Sequence, residues 1–184
     1  IMKTIFLTKK RAAFCALAFC LLCCDFFSKS WAHAKLSNLG FNSHYYPYGG
    51  MGVFQNVFGI DFCLNYVTNK GVAWGLFASY PLLLLIVRSL LVCLMAFYAC
   101  FFSKGTLRQV SFLLIIIGAV GNIFDYFYYG FVIDLFHFTL WGYSFPVFNV
   151  ADSLIFLGIV AMMIISFTKK TTHILNYEGS DQSS

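Results

Sequence analysis

The chain has 184 residues, 60% of them hydrophobic and 10% charged, with a mean hydropathy of +0.80. Soluble domains carry roughly 25% charged residues, so most of this chain is built for lipid rather than water. The formal net charge of +5 does not point to nucleic acid. Lys3, Lys9, Lys10, Arg11, Lys104, Arg108, Lys169 and Lys170 flank apolar runs as topogenic charges do, and no basic face interleaved with aromatics occurs.

Four apolar runs reach spanning length, at about 12–34, 82–102, 110–129 and 147–168. The first has a competing reading, because KKRAAFCALAFCLLCC followed by AHA at 32–34 has the pattern of a cleavable signal peptide. Asp25 and Lys29 interrupt that pattern, the apolar run continues through Phe26 and Phe27, and three more spans follow, so a retained helix is expected. The basic clusters place the N-terminus, the Lys104–Arg108 loop and a tail over 169–184 on the cytoplasmic side. Segments 35–80 and about 130–146 then lie outside. Within the first of these, Phe54, Val57, Phe58, Ile60, Phe62, Leu64, Tyr66 and Val67 partly alternate with polar residues among glycines 49, 50, 52 and 59. That texture predicts a small sheet or amphipathic flap on the outer leaflet. The expected architecture is a single all-α membrane domain over 1–184, with four transmembrane helices and a small extracytoplasmic, β-rich cradle between helices one and two. The final EGSDQSS reads as a disordered tail.

Six of the seven cysteines fall in apolar runs, where free Cys behaves as a small hydrophobe. Cys63 sits in a polar stretch without an evident partner, so neither a disulfide framework nor a zinc spacing is read.

The acidic residues carry the chemistry. Of Asp25, Asp61, Asp125, Asp134, Asp152, Glu178 and Asp181, four lie in or beside apolar spans, where a charge is costly. Asp125 follows Arg108 by seventeen residues and Asp152 precedes Lys169 by seventeen, which puts both roughly 25 Å from the cytoplasmic face. Asp25, fourteen residues past Arg11, comes to roughly 21 Å. Gly130 ends the third helix in this reading, and FVIDLFHF folds back to bring Asp134 to the same level. Depth pairs Asp152 with Asp125 as readily as with Asp134. Two close carboxylates cannot both ionise, so such a pair shares a proton and can activate water while protonating a leaving group.

Structural readings stand beside these. Asp25 and Lys29, spaced i, i+4, form an ion pair, and Asp125 braces a helix end. Asn122 and Asn149 each precede an aspartate by three residues and either orient substrate or join helices. Asp134 and His137, spaced i, i+3, lack a third metal ligand. Arg88 is placed to snorkel to the outer interface.

Five motifs in register resemble the lipoprotein signal peptidase (signal peptidase II) family of bacterial membrane aspartyl peptidases. They are Asp25-x-x-x-Lys29, Asn69-Lys70-Gly71-Val72-Ala73-Trp74, Gly121-Asn122-Ile123-Phe124-Asp125, Gly130-Phe131-Val132-Ile133-Asp134 and Phe148-Asn149-Val150-Ala151-Asp152. The resemblance implies Asp134 and Asp152 as the catalytic pair. Asn69, Gly71, Asn122, Asp125, Asn149, Asp25 and Lys29 become binding or supporting residues. It implies an endopeptidase that cuts prolipoproteins before a diacylglyceryl-modified Cys at the outer face of the cytoplasmic membrane, as a monomer in contact with membrane lipid and without metal or cofactor. One position departs from the pattern, since Tyr126 stands where the family usually has Arg; Arg88 or Lys70 is the candidate replacement. The alternative class is a small transporter or proton-relay subunit using the intramembrane acids.

Overall fold

The computed structural model describes residues 2–37, 50–70 and 80–181. In chain order the elements are α1 (Met2–Leu36), β1 (Met51–Val57), β2 (Ile60–Asn69), α2 (Pro81–Phe101), α3 (Thr106–Tyr129), β3 (Val132–Leu140), β4 (Tyr143–Ser144) and α4 (Val150–Asp181). Four stretches of helix, Arg11–Leu36, Leu82–Phe101, Thr106–Tyr129 and Val150–Thr168, are long and apolar enough to cross a membrane.

Local signals set the boundaries. Pro81 occupies the first turn of α2, where its missing N–H costs nothing. At the end of α3, Gly130 takes a left-handed φ of 78° and its N–H bonds to Tyr126 O at 3.0 Å, as the sequence led one to expect. The third span starts near 106 instead of 110, and the fourth starts at Val150 instead of 147, because Asn149 caps it. The α4 backbone stays helical through Glu178–Asp181, where composition suggested a disordered tail; extending an existing helix is far cheaper than nucleating one.

α3 packs most extensively against α4. Gly118 makes this possible, since a Cβ there would run into the Ala151 carbonyl and the Ile155 side chain. Small residues of this kind are how helices approach closely in lipid, where burial of apolar surface gives no driving force. α2 contributes little to the interior, and Leu83, Ile86, Leu90, Leu94 and Phe97 lie open along it.

The sheet departs from the expected architecture. Its four antiparallel strands run in the order β1-β2-β3-β4, so two of them come from the segment between α3 and α4. The fold is therefore four helices plus a mixed-origin sheet, not an all-α bundle with a cradle confined between helices one and two. The apolar run FVIDLFHF concealed the strand because both its faces are covered, which removes the alternation that marks a half-buried strand. Ile133 and Leu135 pack with Ala32 and Leu36 of α1, while Phe138 stacks on Phe62 and Phe148 and Phe136 meets the same two rings tilted. The register sets Val67 opposite Asp134 and Asn69 opposite Val132, so the end of β2 lies against the start of β3.

Candidate active site

Asp134 projects from β3, three residues into the strand, and Asp152 sits in the first turn of α4. Asn149 joins them. Its Oδ1 accepts the Asp152 N–H at 2.8 Å, and Asp152 Oδ2 accepts the Asn149 N–H at 3.3 Å, a reciprocal capping box with Asp in the third helical position. The same Asn149 amide donates to Asp134 Oδ1 at 2.8 Å. Asn69 Nδ2 donates to Asp134 Oδ2 at 3.2 Å, and Asn122 Nδ2 to Asp152 Oδ1 at 2.8 Å. Each of the four carboxylate oxygens thus receives an N–H, which fixes both side chains in place. Asp134 is 5% exposed and Asn149 fully buried. Burial, and after it the charge of Asp152, pushes Asp134 up to about 7, against the opposing pull of its two amide donors.

Behind the pair lies a lysine knot. Lys29, with no exposed surface, places Nζ 2.6 Å from Asp25 Oδ2, 2.8 Å from Asp125 Oδ2 and 3.1 Å from Asn122 Oδ1. An ammonium has three donors, and all three are used. The other Asp25 oxygen accepts the Ala151 N–H at 2.8 Å, tying α1 to the start of α4. Asp125 Oδ2 also faces the Ile133 N–H at 3.4 Å, next to Asp134 in β3. Gly121 leaves room for this knot, because a Cβ there would sit 2.7 Å from Asp25 Oδ2.

The i, i+4 ion pair of Asp25 and Lys29 is therefore present, with Asp125 as a third member. Asp134, Asp152, Asn69, Asn122 and Asn149 converge, and Asp125 is turned toward Lys29. Gly71 lies outside the described residues. Arg88 lines one narrow cleft with Lys70, Tyr126 and two of the asparagines that bond the acids, Asn69 and Asn122.

Asp134 and His137 do not share a side: on a strand, i and i+3 face opposite ways. His137 instead lies 3.4 Å from Cys63 Sγ through Nδ1 and 2.9 Å from Ser144 Oγ through Nε2. Cys63 does have partners, donating to Asn65 Oδ1 at 3.1 Å, and burial pushes its thiol up to about 11 and His137 downward. Neutral and enclosed, this cross-strand group braces the sheet. Sequence reading did not find it, since its members lie 74 residues apart.

Fold and site together define a multi-pass membrane protein with an amide-braced acid pair, Asp134 buried and Asp152 partly so. A family model described as Signal peptidase (SPase) II matches residues 17–168. Lipoprotein signal peptidases of Wigglesworthia glossinidia brevipalpis and Pasteurella multocida are 36% and 33% identical, aligned over 79% and 76% of this chain and 86% and 88% of their own lengths. A solved bacterial membrane enzyme superposes with a TM-score of 0.69 at 22% identity, covering 88% of this chain and 91% of its own, which speaks for the fold. The chain belongs to the signal peptidase II family. The transporter or proton-relay alternative receives no support from these relatives.

Proposed function

We propose that the chain is an aspartyl endopeptidase that removes signal peptides from diacylglyceryl-modified prolipoproteins, cutting the bond before the lipidated Cys. The observation carrying this is Asn149, whose side-chain amide donates to the Asp134 carboxylate and whose backbone N–H donates to the Asp152 carboxylate, so that one residue holds the two acids at one site. Relatives in the same family bear the name lipoprotein signal peptidase.

Held this way, the two acids share one proton. The ionised member takes a proton from a water as its oxygen attacks the scissile carbonyl. The protonated member hydrogen-bonds the carbonyl oxygen as negative charge develops there, and the resulting tetrahedral species collapses with transfer of a proton to the leaving Cys amine. The products are a signal peptide ending in a carboxylate and a lipoprotein beginning at the lipidated Cys. Asn69, Asn122 and Asn149 hold the acids, and the Lys29 knot keeps α1, α3, α4 and β3 in register around them.

In this reading both termini are cytoplasmic, and the pair sits just inside the outer boundary of the membrane. The sheet lies over it as an extracytoplasmic cradle. The lipid anchor of the substrate then delivers the scissile bond at the right height, so that local concentration and orientation supply much of the rate. The enzyme acts as a monomer, with no metal or organic cofactor in the chemistry.

The test uses purified chain in detergent with two peptides of the same sequence, one carrying diacylglyceryl-Cys and one unmodified Cys. Cleavage of the first, with a new N-terminus at the lipidated Cys, is expected. An intact lipidated peptide, or equal cleavage of both, would sink the proposal.

A further inference from the structure

At the end of the bundle away from the acid pair, α1 and α2 make almost no direct contact. Between them, over α3, lies a groove of about 490 Å3 whose lining includes Arg11, Phe14, Ala96, Ala99, Gln109 and Leu113. The volume falls in the range of small-molecule sites. Its walls are mostly apolar, with the small residues Ala96, Ala99 and Cys100 on the α2 side, and Arg11 borders it. Gln109 and Asp125 are sixteen residues apart on α3, about 24 Å along the axis, so this groove is separate from the active site.

The charge around it marks what fills it: Arg11 borders the groove, Lys9 and Lys10 precede it in the same helix, Lys104 lies in the adjoining turn between α2 and α3, and Arg108 follows in the first turn of α3. No acidic residue lies between positions 2 and 24 or between 81 and 124 to offset them.

We propose that this groove binds an anionic glycerophospholipid, one acyl chain lying between α1 and α2 and the phosphate meeting Arg11. Basic pockets between transmembrane helices recognise lipid headgroups by this chemistry. The inference is independent of the peptidase reading.

The full chain, purified in a neutral detergent, would be offered equimolar phosphatidylglycerol and phosphatidylcholine, and retained lipid read by native mass spectrometry. Phosphatidylglycerol should be retained about fivefold or more over phosphatidylcholine, the preference expected of one basic contact. Arg11→Gln should bring the ratio close to one. Ala99→Phe, which fills the groove, should lower retention of both lipids, whereas Leu157→Phe on the exposed side of α4 should not. Equal retention in the wild type would overturn the proposal, as would a preference that survives Arg11→Gln. If Ala99→Phe changes only the oligomeric state and leaves lipid retention untouched, the groove seats protein and the proposal fails. Thermal unfolding checks that each variant is folded; should Ala99→Phe not fold, the wild-type competition and Arg11→Gln decide.

Discussion

Replacing Lys29 by Met keeps the length of the side chain and removes its charge. Asp25 and Asp125 are 3% and 1% exposed, and among the described residues each forms its ion pair with Lys29 alone. The variant therefore leaves two buried carboxylates facing one another across the space that the ammonium held. Removing one partner of a buried ion pair typically costs about 3–5 kcal/mol, because the other charge stays behind uncompensated. That is roughly a 100- to 4,000-fold fall in the folding equilibrium. For a chain of this size it corresponds to a melting temperature lower by roughly 6–20 °C. Asp125→Asn should behave differently, since Lys29 keeps Asp25 and an amide can still accept from it. Its cost should stay within the range of a single buried hydrogen bond, about 1–3 kcal/mol. The assay is thermal unfolding of both variants and the wild type in one detergent. A Lys29→Met protein that melts with the wild type, or an Asp125→Asn protein that loses more than Lys29→Met, would refute the idea that this lysine neutralises the acids and ties the helices together.

Other outcomes follow from the same geometry. Gly121→Ala should lower the melting temperature and the activity together, because its Cβ would press on Asp25 Oδ2 at 2.7 Å; unchanged values in both would show the knot to be loose. Burial and Asp152 raise Asp134 to about 7, so the proton of the pair is held below that pH and lost above it. Turnover of a lipidated peptide should accordingly fall as pH rises through about 7, and turnover still climbing at pH 9 would contradict a shared proton. Arg88 shares its cleft with Asn69, Asn122 and Tyr126, so Arg88→Gln should raise KM several-fold more than it lowers kcat. Initial-rate kinetics showing no change in KM would remove Arg88 from the site.

Much of the arrangement could be seen in the chain because lipid makes charge conspicuous. The four spans and the common level of Asp25, Asp125 and Asp152 follow from apolar run length and helix rise alone. The Asp25–Lys29 pair was visible in its i, i+4 spacing, but Lys29's bond to Asp125 spans 96 residues and needs the fold. Depth left Asp152 with two candidate partners, and it was the likeness of the motifs to a known family that favoured Asp134. The geometry is consistent with that choice: Asn149 reaches Asp134, while Asp125 is engaged by Lys29. β3 stayed hidden because covering both faces of a strand erases its period. The Asn149–Asp152 capping box was present as a spacing but lay inside a run read as continuous span, so the fourth helix was started three residues early.

The central claim is that Asp134 and Asp152, and not Asp125, form the catalytic pair. The most direct measurement compares cleavage of one diacylglyceryl-modified substrate by the wild type, Asp134→Asn, Asp152→Asn and Asp125→Asn, each shown to be folded by its melting temperature. The account predicts that the first two variants lose turnover by 10³-fold or more, on the order expected when an acid–base group is removed, while Asp125→Asn keeps measurable activity. An active Asp134→Asn beside an inactive, well-folded Asp125→Asn would contradict it and assign the pair to positions 125 and 152.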